Sequence, residues 1–270
     1  MNAPPLPALP WRDRLLAGWL HRGWRGAPRL ARYLGYSDHE STLLARSQYG
    51  SLFKLFPFAY IDQIVLRSGY YESEVLTALS LHLGPHAVLW DIGANFGLHA
   101  VTAQMRFPSA TVIAFEPSPA VHARLLENAA LNSAPVRTVA LALSDRTGHA
   151  PLHLAPPGNS GMTTLSPWSG ASYTGTVLVA TARGDDLIAQ GSLPAPTVIK
   201  IDVEGHELAV LTGLAATLRA GACRAVIFED HLTEDSPVKA LLQEFGFKLN
   251  SLVRLEDSTH TLGNFVATRA

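Results

Sequence analysis

Cysteine is almost absent. Cys223 is the single thiol in 270 residues, so no disulfide can close within the chain, and a zinc ribbon or iron–sulfur cluster lacks its ligands. No apolar stretch approaches the ~18 uncharged residues of a membrane span. An excess of positive charge is also missing: 21 basic against 22 acidic side chains leave a net charge of −1, which argues against a general nucleic-acid binder. The start, Met1 to Pro10, is proline-rich and runs straight into Trp11-Arg12-Asp13-Arg14, whereas a secretory leader begins basic and then turns apolar. Internal repeats and long low-complexity tracts are lacking too. These absences lead us to expect a cytoplasmic folded protein with a substantial core, 47% of its residues being hydrophobic.

What charge there is lies unevenly. Residues 1–35 carry six arginines against Asp13 alone, together with Trp11, Trp19 and Trp24, whereas the rest of the chain is acidic overall. Arginine and aromatic residues at helical spacing suit either a cap packed on the main domain or a peripheral membrane contact. From about residue 85, short β-rich runs alternate with helical patterns, as in stacked βαβ units with a largely parallel sheet. The runs 87–92, 111–115, 197–201 and 224–228 are nearly continuous in apolar residues, as strands buried on both faces should be. Ser118-Pro119 and Ser236-Pro237 each read as a helix start. Residues 150–185, rich in Gly, Pro, Ser and Thr, read as an antiparallel excursion, and the stretch TLGNFVATR as a final strand. We expect an N-terminal helical extension over residues 1–59 and one α/β domain over 60–270.

The most informative segment is Asp91-Ile92-Gly93-Ala94-Asn95-Phe96-Gly97, where a buried strand turns into a helix. Glycines there let backbone approach a ligand. Glu116 ends the next strand, where a carboxylate can accept both hydroxyls of an adenosine ribose. The spacing G-x-x-x-G, with Asp91 two residues ahead, fits a pyrophosphate poorly and suits the amino group of a methionine moiety. That points to S-adenosylmethionine rather than to a nicotinamide cofactor.

DIGANFG, AFEPSP, ALSD at 142–145 and KIDVEGHE at 200–207 together resemble the FkbM family of S-adenosylmethionine-dependent methyltransferases, over roughly three-quarters of the chain. The resemblance implies a Rossmann-like class I methyltransferase fold: a mostly parallel seven-stranded sheet with an antiparallel terminal strand. It implies O-methylation, typically of sugar or polyketide hydroxyls. It places Asp91, Gly93 and Gly97 on the methionine side, with Asn95 in the same turn, Glu116 at the ribose, Ser144 and Asp145 beside the adenine, and Glu72 within reach of the cofactor. The family's usual Leu-Asp-Asp reads Gly184-Asp185-Asp186 here, and residues 1–35 have no counterpart in it.

An alcohol is a poor nucleophile at neutral pH, so O-methylation needs a base or a metal. Asp202, Glu204 and His206 follow the fourth strand of the sheet and are the catalytic candidates, with His206 the base by its ordinary pKa and His231 a second choice. Asp202, Glu229 and Asp230 form a tentative Mg²⁺ set if three strand ends converge, although no metal is required. Asn159, Ser160, Thr163 and Thr164 are candidates for hydrogen bonds to a polyhydroxylated acceptor. The reading is thus a methyltransferase acting on a small-molecule or glycan hydroxyl, with no nucleic-acid partner. Its rivals are a nicotinamide-dependent oxidoreductase or epimerase, and a non-catalytic S-adenosylmethionine-binding docking module.

Overall fold

A strand buried on both faces must send alternate side chains into two different cores, and the central strands do so. The computed structural model describes residues 7–23, 26–36, 41–233, 235–252 and 262–269. Helices α1 (Trp11–His21) and α2 (Ala27–Tyr33), the hairpin β1 (Leu43–Arg46) and β2 (Leu52–Leu55), and helices α3 (Tyr60–Ser68) and α4 (Ser73–His82) come first. The alternating part follows as β3 (Val88–Ile92), α5 (Leu98–Arg106), β4 (Thr111–Phe115), α6 (Pro119–Leu131) and β5 (Arg137–Val139). An excursion of β6 (Ala142–Leu143), β7 (Gly148–Leu154) and β8 (Gly175–Ala182) leads through α7 (Gly184–Ala189) to β9 (Val198–Ile201). The chain then continues through α8 (Glu207–Gly213), α9 (Ala215–Arg219), β10 (Ala225–His231), α10 (Pro237–Glu244), β11 (Lys248–Ser251) and β12 (Leu262–Thr268).

Seven strands form the main sheet in the order β11-β12-β10-β9-β3-β4-β5. Strands β10, β9, β3, β4 and β5 are mutually parallel, and β12 runs antiparallel to both its neighbours. This is the Rossmann-like arrangement with one reversed strand. Trp90, Ile92, Ile113, Phe115, Ile199, Ile201, Val226 and Phe228 enter one core. Their sequence neighbours Leu89, Val112, Ala114, Val198, Ala225 and Ile227 enter the other.

In the excursion β7 and β8 pair antiparallel as expected, while the short β6 joins β8 in parallel to complete a three-stranded sheet. One local expectation needs adjustment. Ser118 does precede α6, but its side chain makes no cap bond; its amide instead donates to Glu116. Ser236 does cap α10, accepting from the amides of Val238 and Lys239. The stretch after His206 is two helices broken at Leu214, yet Leu211, Leu214 and Leu218 are all buried as their spacing demands. Gly184, where the family has leucine, has no room for a side chain: a Cβ there would lie 2.3 Å from Leu214 Cδ2.

Helix α1 is held by Leu16 and Leu20, which share one apolar cluster with Leu43, Phe53, Val65, Phe96 and Val101. Buried Asp13 accepts the Tyr36 hydroxyl and the Leu44 amide. Trp11 and Leu15 remain exposed, and Trp24 and Arg25 of the basic segment lie outside the described residues. Among the described residues no helix is long and apolar enough to cross a membrane.

The hairpin docks through an amide strap on α6. Asn132 accepts from Leu52 N at 2.8 Å and donates to Leu52 O at 2.7 Å; one turn earlier Asn128 accepts from Lys54 N at 2.9 Å and donates to Phe96 O at 2.9 Å. Two asparagines at i, i+4 thus satisfy the backbone edge of β2 as a third strand would. Asn132→Ala leaves two buried backbone groups without their partner and should lower the unfolding free energy by about 2–4 kcal/mol, read from the urea midpoint. A loss below about 0.5 kcal/mol would put the strap within the range of neutral surface changes.

Candidate active site

Open parallel sheets bind ligands at the carboxyl ends of their strands, and a cavity of about 800 Å³ opens there, ringed by the ends of β3, β4, β9 and β10. Ile61, Tyr71 and Glu72 close it on one side, and Ser160, Thr163 and Thr164 from the excursion on another.

The floor is organised by a lysine to which the sequence reading gave no role. Lys200 lies in register with Asp91 across the β3–β9 pair. Its Nζ stands 3.1 Å from Asp202 Oδ2, 3.5 Å from Asp91 Oδ1 and 3.3 Å from the Gly93 carbonyl. Burial favours the neutral amine, but the carboxylates of Asp202, Asp91 and Glu72 outweigh it and hold the ammonium above the usual lysine range. Among the described residues nothing donates a hydrogen bond to either oxygen of Asp91, and the Lys200 ammonium is its counter-charge. A lone lysine inside an apolar strand, beside an acid at the same level of the next strand, was the available signal.

The glycine turn is required first by packing. Gly93 has φ +76°, and a Cβ there would lie 1.8 Å from the Asp202 carbonyl oxygen. Gly97 has φ +89°, and a Cβ would meet Leu125 Cδ1 at 2.3 Å. Gly93 and Asn95 line the cavity, whereas Asp91 and Gly97 stand behind its wall. Glu116 also lines it. Its Oε2 accepts from Asn95 N at 3.0 Å and its Oε1 from Ser118 N at 2.8 Å, which leaves further lone pairs for ligand hydroxyls. Burial pushes its pKa up to about 7 against those two amides and Lys200.

Glu72, in a left-handed conformation at the start of α4, lines the cavity too. Its Oε1 accepts from Asn264 Nδ2 at 3.1 Å, and its Oε2 lies 3.7 Å from His99 Nε2. Burial raises its pKa, but His99, Lys200 and Asn264 prevail and lower it. His99 is buried between Glu72 and the Tyr70 hydroxyl, which lies 3.3 Å from its Nδ1.

His206 lines the cavity, but both its nitrogens are engaged: Nε2 with Ser144 Oγ at 3.0 Å, Nδ1 with Ser166 Oγ at 2.9 Å. Burial lowers its pKa. Ser144 is thereby turned toward the histidine and Asp145, while Asp145, half in solvent, is held low by Arg146 and Ser144. Neither lines the cavity; Ala142 and Leu143 just before them do. Glu204, at φ +57°, is pushed up to about 9 by burial and then by Asp202 and Glu229. Glu229 is pushed up to about 8 by burial, Asp202 and Glu72.

The proposed metal set does not converge. Strand β10 extends through His231, three residues beyond the apolar run that ends at Phe228. Side chains alternate there, so Glu229 shares the face of Ile227 and joins Asp202 at the cavity, whereas Asp230 shares the face of Phe228 and faces elsewhere. Among the described residues no group of three or more metal-binding side chains is arranged to hold an ion. Of the polar excursion residues, Ser160 Oγ donates to Asn95 Oδ1 at 3.3 Å and Thr164 Oγ1 to Glu204 O at 2.8 Å; Asn159 is turned to Met162.

These residues fit S-adenosylmethionine. A wall of carboxyl groups suits a ligand with a sulfonium and an ammonium, and Glu116 retains acceptor capacity for ribose hydroxyls. The profile of the Methyltransferase FkbM domain matches residues 91–249. The hexuronic acid methyltransferase AglP of Haloferax volcanii is 34% identical over 69% of this chain and 74% of that protein. The 31-O-demethyl-FK506 methyltransferase FkbM of Streptomyces tacrolimicus is 29% identical over 62% of this chain and 75% of that one. The 2-O-methyltransferase NoeI of Sinorhizobium fredii is 30% identical over 52% and 62%. The crystal structure of a methyltransferase FkbM from Methylobacillus flagellatus superposes with a TM-score of 0.47 at 14% identity, covering 78% of this chain and 55% of that one. The family profile and the sequence relatives set aside the nicotinamide reading: the chain belongs to the FkbM methyltransferase family of S-adenosylmethionine-dependent O-methyltransferases.

Proposed function

We propose that the protein methylates a hydroxyl group of a sugar, in a glycan, a glycolipid or a glycosylated metabolite. The observation that carries the reading is the carboxyl-walled cavity at the strand ends, with Glu116 opposite Glu204 and Glu229. The acceptor class is supported by the relative named for hexuronic acid methylation, and transfer to oxygen by those named for 31-O and 2-O positions.

Glu116 would accept the ribose hydroxyls and Glu72 the methionine ammonium, with Asn95 fixing the turn between them. Asp91 and Lys200 act from behind by holding Gly93 and Asp202 in place. Bound S-adenosylmethionine supplies an electrophilic methyl group. Glu229 takes the acceptor's proton as the new C–O bond forms and the C–S bond breaks. Asp202 is one cause of the raised Glu229 pKa and so strengthens it as a base, and Glu204, itself pushed up to about 9, stands beside them in its acid form at neutral pH. His206, tied at both nitrogens, acts as a positioning residue that braces the wall through Ser144 and Ser166.

Two outcomes test this. In calorimetric titration, S-adenosylhomocysteine should bind, and Glu116→Ala should weaken binding by about 1.5–3 kcal/mol, the range for a hydrogen bond to a charged group. Tighter binding of NAD would overturn the assignment. The pH profile separates the bases. The active form of Glu229 is its carboxylate, and burial has raised its pKa, so kcat/KM should fall as pH drops through about 8. Glu229→Gln should lower the rate by about 10²–10⁴ and remove that limb, leaving S-adenosylhomocysteine affinity in place. A histidine base would give a limb below the ordinary histidine value, because burial lowers His206. Disappearance of such a limb in His206→Ala would return the proton to the imidazole.

A further inference from the structure

A second open cavity of about 870 Å³ adjoins the first and shares Glu229 with it. Trp168, Asp230 and His231 line it, with Glu207 and Asp235. Asp230 is over nine-tenths buried, and although its Oδ1 accepts the His231 amide at 2.8 Å, its Oδ2 accepts nothing from the described residues. A buried carboxylate oxygen with no donor is costly unless a ligand supplies one. Trp168 is 40% exposed. Its indole is fixed, because Nε1 donates to Glu204 O at 3.0 Å while Gly205 lies beneath it, where a Cβ would come within 3.1 Å of that nitrogen.

We propose that this cavity is the acceptor subsite, and that it takes an uncharged sugar ring. The proposal rests on the sugar-methyltransferase reading and narrows it. A fixed indole offers a flat apolar surface to the C–H face of a pyranose, and the carboxyl group of Asp230 borders that surface as an acceptor for a ring hydroxyl. Glu229, common to both cavities, then faces the hydroxyl nearest the cofactor. His231 is the one basic side chain among the described lining residues, against the carboxyl groups of Glu207, Glu229, Asp230 and Asp235. A carboxylate-bearing sugar would find no lysine or arginine among those described residues, and its charge would be left unpaired beside carboxyl groups. Selection therefore runs against hexuronic acids, unlike the acceptor for which the Haloferax relative is named.

Saturation-transfer NMR on the S-adenosylhomocysteine-loaded protein provides the test, with methyl glycosides of glucose, galactose, mannose, rhamnose and fucose beside methyl glucuronoside. At least one neutral glycoside should bind and the glucuronoside should not. Trp168→Ala and Asp230→Asn should each weaken that binding about tenfold or more, with S-adenosylhomocysteine affinity within about twofold of the parent. Unchanged glycoside binding in both variants, preference for the glucuronoside, or no binding by any glycoside would overturn the subsite. Incubation with methyl-labelled S-adenosylmethionine separates the two readings. Label on a sugar hydroxyl with unaltered binding in both variants removes the subsite and leaves the function. Label on no sugar, with S-adenosylhomocysteine still bound, removes the sugar acceptor itself.

Discussion

Lys200 stands at the carboxyl end of β9 with almost no access to water, and its ammonium joins Asp202, Asp91 and the Gly93 carbonyl. Removing such charges from water costs several kcal/mol per ion, and only close, multiple partners offset that. The arrangement is possible because parallel pairing sets Asp91 and Lys200 side by side. It fixes three things at once: the seam between the two central strands, the turn at Gly93, and the direction of Asp202. Those are the floor of the cofactor cavity. The side-chain-free residue at position 93 follows from the same closeness, since the Asp202 carbonyl occupies the space a Cβ would need.

Above that floor the cavity wall gathers Glu72, Glu116, Asp202, Glu204 and Glu229. Carboxyl groups crowded in a partly dry space resist ionisation together, which is why Glu204 and Glu229 are raised. A cationic ligand reverses the balance, because its charge favours the ionised form. Cofactor binding and deprotonation of the wall are therefore linked: the ligand that brings the reactive methyl group also drives the neighbouring carboxyl groups toward the form that can accept a proton.

Much of this was legible in the sequence, for physical reasons. The apolar runs at 88–92, 111–115 and 198–201 are strands because only a doubly covered strand tolerates them, and Ser118-Pro119 marked the start of a helix that ends at Leu131. The acids Glu72, Glu116, Asp202, Glu204 and Glu229 all stood out in the sequence, and all line the cavity. What was hidden depends on side-chain direction. Whether Asp230 joins Asp202 hinges on whether β10 stops at Phe228 or runs to His231, and alternation then sends it to the other face. The engagement of both His206 nitrogens depends on Ser144 and Ser166, 62 and 40 residues away in the chain. The role of Gly97 depends on Leu125 across a helix pair. None of these separations carries a local pattern.

The segment ahead of the sheet belongs to this chemistry through packing. Leu16 and Leu20 of α1 and the hairpin residues Leu43 and Phe53 share a cluster with Val65, Leu66 and Tyr70. The amide strap of Asn128 and Asn132 fixes that hairpin to α6, which starts at Pro119, three residues after Glu116. Arg124, also on α6, pairs with buried Asp62 and donates to the Lys54 carbonyl. Asp62 sits beside Ile61, and Tyr71 and Glu72 follow the end of α3, so these ties set the wall of the cavity opposite the strand ends. Glu72 itself holds a left-handed backbone at φ 53°, a conformation that persists only where surrounding contacts over-determine it. Asn264 and His99 supply those contacts from β12 and α5. The carboxylate nearest the proposed ammonium position is thus set by three elements far apart in sequence, and the N-terminal helices bear on it through the core they complete.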